Sequence, residues 1–257
     1  MALKRLPRRL QHGEEATLVE HLGELRSRIM IALLAIVPAF IVAFVFHETL
    51  IDVLTRPLPD DKKLVTLGVT EPFTTAVKVC LAAAVAVTLP ILLYQLWSFL
   101  APAIEEGKQR TVAVFTALAS ILFAGGVLFS YFIVLPRALG FLTTFGEEFF
   151  QVEIRASYYF SFVTLTLLAS GLAFQMPIFI LALVRLRILS AERLRRNRRI
   201  GFASMLVFAV LLPTVDPVSL ALEVIPLIIL FELSVQLAGV MEKRWDIADQ
   251  KSRWAVE

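Results

Sequence analysis

The sequence predicts an all-α, polytopic membrane protein with six transmembrane helices, the last two short, and both termini in the cytoplasm. Composition is the first observation that supports this, because 58% of the 257 residues are hydrophobic and 18% are charged. In soluble domains about a quarter of the residues are charged. The mean hydropathy is +0.78. The hydrophobic residues form continuous runs without the alternation of β-strands, so the expected fold is a helical bundle solvated by lipid.

Six apolar runs are the predicted spans. They are Ile29 to Phe46, Val77 to Phe99, Val112 to Leu135, Phe160 to Val184, Ile200 to Leu212 and Val218 to Val240. The chain is accordingly divided into a cytoplasmic amino-terminal segment with an amphipathic helix (residues 1–28), a six-helix transmembrane domain (residues 29–240) and a cytoplasmic tail (residues 241–257).

The distribution of lysine and arginine predicts the orientation. Of the 25 basic residues, 19 fall in the amino-terminal segment, in the connections between spans two and three and between spans four and five, and in the tail. By the positive-inside rule these segments are cytoplasmic. Seven arginines lie between Arg185 and Arg199. A basic loop between two spans is typical of a topology signal in contact with lipid phosphates, so no nucleic-acid partner is expected.

The amino-terminal segment ends in a charged helical patch, Glu20 to Arg28, that continues directly into the first span. Leucines recur there at helical spacing, which predicts a helix that lies along the membrane surface before it enters the bilayer. Glu24 and Arg28 stand one turn apart. The simplest interpretation of this pair is an exposed ion pair worth about 0.2–0.5 kcal/mol.

The fifth predicted span is too short to cross a bilayer alone. Its thirteen residues make roughly 20 Å of helix, against a hydrocarbon core of about 30 Å. A tight turn from Pro213 to Pro217 ends it. Three explanations are open: the bilayer thins here, the hairpin of spans five and six stops short of the outer surface, or the helix extends inward to the arginines.

Polar residues at membrane depth are candidates for contacts with other helices. Gln175 precedes Pro177 by two residues, so it is expected to face the bundle interior or a wet groove, and its simplest role is an interhelical hydrogen bond. Glu223 and Glu232 are nine residues apart and lie on opposite sides of their helix, so they are not expected to form a paired-carboxylate site. Glu232 shares a polar stripe with Gln236, one turn away.

The sequence shows no catalytic constellation. Its histidines, His12, His21 and His47, all fall near the amino terminus and on both sides of the membrane, which argues against a metal site or a Ser-His dyad. Cys80 stands alone within the second span and is expected to be a small buried hydrophobe. There is no phosphate-binding glycine-rich motif. We therefore expect no enzyme and no cofactor.

Several motifs occur in a fixed order along the chain. They are His21-Leu-Gly-Glu24-Leu-Arg26-Ser-Arg28, Glu71-Pro72-Phe73, Tyr94 to Pro102, Phe129-Ser-Tyr131-Phe132 to Pro136, Phe174-Gln175-Met-Pro177, and Ile225-Pro226 to Phe231-Glu232. In order and spacing they resemble the TatC family, the multispan receptor of the twin-arginine protein translocase. The resemblance covers about residues 17–240, nearly the whole chain.

The resemblance implies a receptor in the cytoplasmic (inner) membrane rather than an enzyme. The family binds folded precursors whose signal peptides carry adjacent arginines. With TatA-type and TatB-type single-span partners, and other copies of itself, it moves them across using the proton-motive force. The glutamate matching Glu24 contributes to recognition of the arginine pair, and a carboxylate suits a guanidinium. Family sites also include the positions of Arg26, Phe99, Gln175 and Asp216, with Gln175 in place of the glutamate of some members.

One departure from the family pattern concerns the connection between spans two and three. Many members carry Tyr-x-x-Glu there, and the glutamate helps to bind the arginines. An ungapped alignment places Lys108 at the position of that glutamate. We expect Glu105 or Glu106, displaced by two or three residues, to supply the charge; the other interpretation is a weaker site.

A secondary transporter of a small solute is the alternative function. Such a protein needs discontinuous helices around a midplane site, for which Gln175 and Glu232 are the candidates, and it usually shows an internal repeat. The sequence shows no such repeat. An intramembrane protease is not expected, because the positions of the histidines exclude the common dyad.

Overall fold

The computed structural model describes residues 18–100, 109–150, 152–211 and 216–254. These residues are mostly helical, which confirms the all-α prediction; two strands have two residues each. The helices are α1 (Leu18–Val45), α2 (His47–Thr55), α3 (Glu71–Leu100), α4 (Gln109–Phe129), a π-helix (Ser130–Val134), α5 (Leu135–Thr144), α6 (Ala156–Ala173), α7 (Met176–Arg185), α8 (Ala191–Arg196), α9 (Arg198–Val210) and α10 (Pro217–Trp254). The strands β1 (Leu64–Val65) and β2 (Ile154–Arg155) pair in parallel.

Five helical stretches in the described part of the chain are long and apolar enough to cross a membrane. They are Leu22–Val45, Glu71–Phe99, Val112–Thr144, Ala156–Arg185 and Pro217–Lys243. Each coincides with one of the six predicted spans. Large hydrophobic side chains cover their outward faces, among them Leu34, Val87, Ile121 and Ile225. That surface is suited to solvation by hydrocarbon.

The charged patch and the first span form one uninterrupted helix, which confirms their predicted continuity; the predicted position of the patch along the membrane surface stays a prediction. α1 runs from Leu18 to Val45, with Pro38 inside it. None of its apolar stretch is buried, so α1 lies at the edge of the bundle, where it packs against α3.

The bundle has two chemically different ends. The arginine-rich end holds the beginning of α1, the end of α3, and α8. The strand end holds α2, β1 and β2. There the hydroxyl of Tyr131 donates to the carbonyl of Val53 at 2.7 Å, and that of Tyr159 donates to the carbonyl of Leu54 at 2.8 Å. These two bonds fasten α2 to the π-helix and to α6.

The third span does not end where the sequence predicts. The prediction stops it at Leu135, but the helical chain continues through α5 to Thr144. Pro136 has no N–H to continue an ordinary helical ladder. The chain accommodates it with the π-helix, in which the N–H of Leu135 bonds to the carbonyl of Ser130 five residues earlier.

The fourth span is broken into α6 and α7 near its middle. Pro177 has no N–H to offer the carbonyl of Ala173. The chain makes a turn there, in which the N–H of Gln175 bonds to the carbonyl of Leu172 at 3.0 Å, and α7 then begins. The sequence predicted one span here, from Phe160 to Val184, so the division into two helices corrects that prediction.

The prediction that the last two helices are both short is correct for α9 and wrong for α10. α9 has 13 residues and lies among none of the five long apolar stretches. α10 has 38 residues and continues to Trp254, through most of the predicted tail. After Val240 the sequence becomes polar but contains no glycine or proline to end the helix. Hydropathy therefore marked the end of the apolar segment and missed the continuation of the helix.

α8 and α9 both pack against α10. The two helices are joined at Asn197 and together run antiparallel to α10. The backbone N–H of Ala191 donates to the Glu242 carboxylate at 2.9 Å, and Arg198 pairs with Glu232 at 2.9 Å. Of the three explanations for the short span, inward extension of α9 accounts for two residues only, because the helix begins at Arg198.

Candidate functional site

The charged patch from Glu20 to Arg28, at the start of α1, is called the foot. Within it, Glu24 forms an ion pair with Arg28. Nε of Arg28 donates to Oε1 of Glu24 at 3.1 Å, and Nη2 of Arg28 donates to the same oxygen. Nη1 of Arg28 also approaches the backbone carbonyl of Gln95 at 3.5 Å, which links the foot to the end of α3. The Glu24 side chain is 30% exposed. Arg26 is exposed and, two residues from Glu24, lies on nearly the opposite face of the helix.

The end of α3 forms the other wall of this region. Trp97 is buried and packs edge to face on Phe115 of α4, with ring centroids 5.5 Å apart. This contact fixes the last turn of α3 against α4. Phe99, two residues later, is half-buried. Glu105 and Glu106 lie outside the described residues, so the proposed carboxylate shift stays a prediction.

Gln175 lies at the break between α6 and α7. Its Nε2 donates to the backbone carbonyl of Ala119 in α4 at 3.0 Å, so it makes an interhelical hydrogen bond. Its Oε1 is buried without a hydrogen-bond partner among the described residues. Gln175 therefore faces the bundle interior, as the sequence predicted.

Asp216 is the residue immediately before α10. It is 3% exposed, and its Oδ1 accepts the backbone N–H of Ser219 at 2.7 Å. An aspartate followed by proline is the preferred chemistry for a helix start, because the carboxylate accepts a free N–H and proline needs none. Asp216 thus sets where α10 begins.

The two carboxylates of α10 have different partners. Glu232 accepts from Arg198 of α9 at 2.9 Å and from Gln236 at 3.4 Å, which confirms the predicted polar stripe. Glu223 is 3% exposed and accepts the hydroxyl of Ser170 in α6 at 3.1 Å. The prediction that they do not form a paired site is therefore confirmed.

Glu71 joins several segments at the strand end. The sequence analysis named it only as part of a motif and did not predict this role. Its carboxylate is 5% exposed at the strand end. Oε1 accepts Nε of Arg155 at 2.9 Å and the backbone N–H of Ser157 at 3.1 Å. Oε2 accepts the N–H groups of Leu67 and Gly68 at 3.0 and 3.3 Å. The bond to Glu71 raises the pKa of Arg155.

The predicted site residues thus fall into separate regions of the bundle. Glu24, Arg26 and Phe99 lie at the arginine-rich end, and Asp216 lies at the start of α10. Gln175 contacts α4, whereas Glu232 contacts α9. In the part of the chain that the structure describes, no three histidine, cysteine or carboxylate side chains are placed to hold a metal ion. Cys80 is buried, as predicted, and points at the carbonyl of Ala43.

Comparison with known proteins assigns this architecture to a family. The family model described as Sec-independent protein translocase protein (TatC) matches residues 20–226. The chain is 35% identical to Sec-independent protein translocase protein TatCd of Bacillus subtilis (strain 168) over 231 residues, which cover 90% of this chain and 95% of the relative. It is 33% identical to the TatC protein of Escherichia coli (strain K12) over 222 residues, which cover 85% and 86%.

A solved structure agrees with the sequence comparison. The crystal structure of twin-arginine translocase receptor TatC in DDM superposes with a TM-score of 0.75 at 32% identity, and the match covers 85% of this chain and 99% of that one. Family match, relatives and fold agree over most of the chain. This chain belongs to the TatC family of Sec-independent protein translocase proteins, membrane components of the twin-arginine translocation system.

Proposed function

We propose that this protein is the receptor and core subunit of the twin-arginine translocase. It binds the twin-arginine signal peptides of folded precursors and supports their export, driven by the proton-motive force, across the cytoplasmic (inner) membrane. Its partners are TatA-type and TatB-type single-span proteins, membrane lipids and further copies of itself. α9 belongs to a sixth crossing, and both termini lie on the cytoplasmic side.

The observation that carries the proposal is the position of Glu24. Its carboxylate is partly exposed on a helix that continues into the membrane, where a signal peptide arrives with an apolar segment behind its arginines. A guanidinium is a strong partner for such a carboxylate, because its planar fork donates two hydrogen bonds.

The contacts of Arg28 suggest how Glu24 becomes available. In the structure Arg28 pairs with Glu24, and Nη1 of Arg28 also lies 3.5 Å from the carbonyl oxygen of Gln95. An incoming guanidinium replaces one arginine–carboxylate contact with another, while Arg28 keeps a carbonyl acceptor on α3. The exchange therefore costs little, since a partly exposed pair of this kind is worth only about 0.2–1 kcal/mol.

Charge reversal at the foot tests the proposal. We expect Glu24→Lys to weaken binding of a twin-arginine peptide and to lower export of a twin-arginine reporter. The added positive charge repels the signal arginines and leaves the bundle folded, because the site is at the surface. Site-specific crosslinking of the peptide to the foot, with the melting temperature as a folding check, measures the effect.

Glu192→Lys is the matched control. Glu192 is exposed on α8, at the same arginine-rich end, and the substitution changes the net charge equally. Normal crosslinking and export in the Glu24→Lys protein, or equal loss in both variants, would refute a specific role for Glu24.

The connection between α3 and α4 provides a second test. Replacing Glu105 and Glu106 together by glutamine should lower affinity for a twin-arginine peptide, and added salt should weaken the wild-type interaction, because exposed ion pairs are screened. Titration of labelled peptide at low and high salt measures both effects. Wild-type affinity of the double variant at low salt would show that neither carboxylate takes part.

The structure does not favour transport of a small solute. The midplane site that such a transporter needs was predicted around Gln175 and Glu232. Gln175 bonds to α4 and Glu232 bonds to α9. The two side chains therefore belong to different contacts and do not converge on one ligand.

A further inference from the structure

Buried polar side chains form a row along one face of α10, called the file below. Asp216, Ser219 and Glu223 are spaced three and four residues apart, which places them on the same side of a helix. Their side chains are 3%, 0% and 3% exposed. A polar stripe in a membrane helix is expensive unless other polar groups or water face it.

The facing helices carry hydroxyls at matching heights. Ser170 of α6 bonds to Glu223, which sets the register between α6 and α10. A Cβ at Gly126 of α4 would lie 2.8 Å from the carbonyl oxygen of Ser170, which sets the register of α4. One turn nearer the strand end, these two registers bring a hydroxyl from each of three segments to one level. They are Ser130 of the π-helix, Thr166 of α6 and Ser219 of α10.

These three hydroxyls share a further property. Each belongs to a residue that is 0% exposed, and each oxygen lacks a hydrogen-bond partner among the described residues. The Oδ2 of Asp216 lacks one as well. A buried polar group without a partner costs about 1–3 kcal/mol. Water that bridges these oxygens removes the cost, as buried water does elsewhere in proteins.

Space for such water exists beside Glu223. A cavity of about 10 Å³ lies between α4, α6 and α10, lined by Ser170 and Glu223 and closed by Phe129 and Phe174. That is close to the smallest volume that holds one water molecule. Helical spacing places Ser219 one turn from Glu223 and Thr166 one turn from Ser170, so these hydroxyls lie between the cavity and the end of α10 that carries Asp216.

We propose that this file is a water-filled protonation site inside the bundle. Glu223 exchanges a proton with the solution at the strand end through water held by Ser130, Thr166 and Ser219. In the forward step a hydronium ion in the file gives a proton to the carboxylate, which leaves water and a neutral carboxylic acid. The reverse step restores the carboxylate and the hydronium ion. This goes beyond the proposed receptor function and needs no signal peptide.

Glu223 is the carboxylate beside the cavity, and the helices packed against α10 carry their other charged groups elsewhere. Arg137 of α5 is exposed, Arg185 is the last residue of α7, and Arg198 of α9 pairs with Glu232. α6 contributes the hydroxyl of Ser170, and its titratable residues are the two tyrosines near its start. α4 contributes Phe129, and its basic residue is at its far end. The π-helix contributes Ser130 and Tyr131, whose hydroxyl donates to Val53. On α10 itself the neighbouring carboxylates are Asp216 and Glu232, both in contacts of their own.

Deuterium labelling of a thiol in lipid vesicles tests whether the file is wet, because water fits the cavity and a larger thiol reagent does not. On a Cys80→Ala background, the infrared S–H band of Ser219→Cys should shift rapidly in deuterated water, although Ser219 is fully buried in the protein. Ile225→Cys is the control, because Ile225 is 58% exposed and faces outward from α10. In a bilayer that face meets hydrocarbon, so its S–H band should shift more slowly. If the band of Ser219→Cys does not shift, or shifts no faster than that of Ile225→Cys, the water file does not exist.

Infrared spectroscopy of the full-length protein in vesicles tests the proton. A carboxylic acid band should appear as the pH falls, shift in deuterated water, and be lost in Glu223→Gln but retained in Asp216→Asn. The bands are compared only between the wild-type protein and variants that have the same melting temperature, so that all of them are folded. If Glu223→Gln does not fold, the band of the wild-type protein and the labelling of Ser219→Cys still decide the matter. A carboxylic acid band whose intensity does not change with pH, or one that persists in Glu223→Gln, overturns the proposal.

Discussion

We expect Gly126→Ala to lower the melting temperature of the detergent-solubilised protein, and Gly125→Ala, one residue earlier, to leave it unchanged or raise it. A Cβ at Gly126 would lie 2.8 Å from the Ser170 carbonyl oxygen and 3.0 Å from Cα of Gly171. Both are backbone atoms of α6, so a side chain cannot simply rotate away and the two helices must separate. Overpacking of this kind costs about 1–3 kcal/mol.

Gly125 is a matched control because it has the same chemistry on the other side of the helix. Nothing lies within 4 Å of a Cβ placed there. Alanine also has a better helix propensity than glycine, by about 1 kcal/mol. The expected order of melting temperatures is therefore Gly125→Ala at or above wild type, and Gly126→Ala below both. Equal melting temperatures for the two variants would show that α4 and α6 are not in close contact.

Glu71→Gln is expected to loosen the strand end of the bundle. The substitution keeps the size of the side chain but replaces one acceptor oxygen by an NH₂ group. Whichever way the amide is turned, its NH₂ group faces two N–H donors that the carboxylate accepted. They are either those of Leu67 and Gly68 or those of Arg155 and Ser157. Buried donors without acceptors are costly. Limited proteolysis and the melting temperature measure the result.

Two further variants separate the possible causes. Glu153→Gln alters an exposed carboxylate beside β2 and should leave both measurements unchanged. Arg155→Ala removes the ion pair but leaves the three backbone N–H groups bonded to Glu71, so it should be milder than Glu71→Gln. A larger effect of Arg155→Ala would mean that the charge pair, and not the backbone acceptor role, holds the strand end together.

Local sequence patterns predicted the features that depend on neighbouring residues. Pro177 predicted that Gln175 faces the bundle interior or a wet groove, because a missing N–H acts within four residues. The charged foot and the first span form one helix, since Glu20 to Ile29 contains no residue that ends a helix except Gly23. The separate orientations of Glu223 and Glu232 followed from helical geometry alone.

Features that depend on distant residues were not predictable in the same way. Glu71 and Arg155 are 84 positions apart, and neither is unusual in its own segment. The pairing of Glu232 with Arg198 required the register between α9 and α10. Pro136 was noted only as part of a motif, and nothing in the sequence indicated that a π-helix would allow the helical chain to continue past it. Hydropathy placed the end of the last span correctly and underestimated α10, because polarity does not end a helix.

The length of α10 carries it beyond the apolar part of the bundle. Its 38 residues make a helix about 57 Å long, nearly twice the thickness of the hydrocarbon core. Gly239 lies against the guanidinium of Arg195, and the Glu242 carboxylate accepts the N–H of Ala191 at the start of α8. These contacts join α10 to α8 just before its apolar stretch ends at Lys243. α8 therefore sets the direction in which the rest of the helix continues to Trp254.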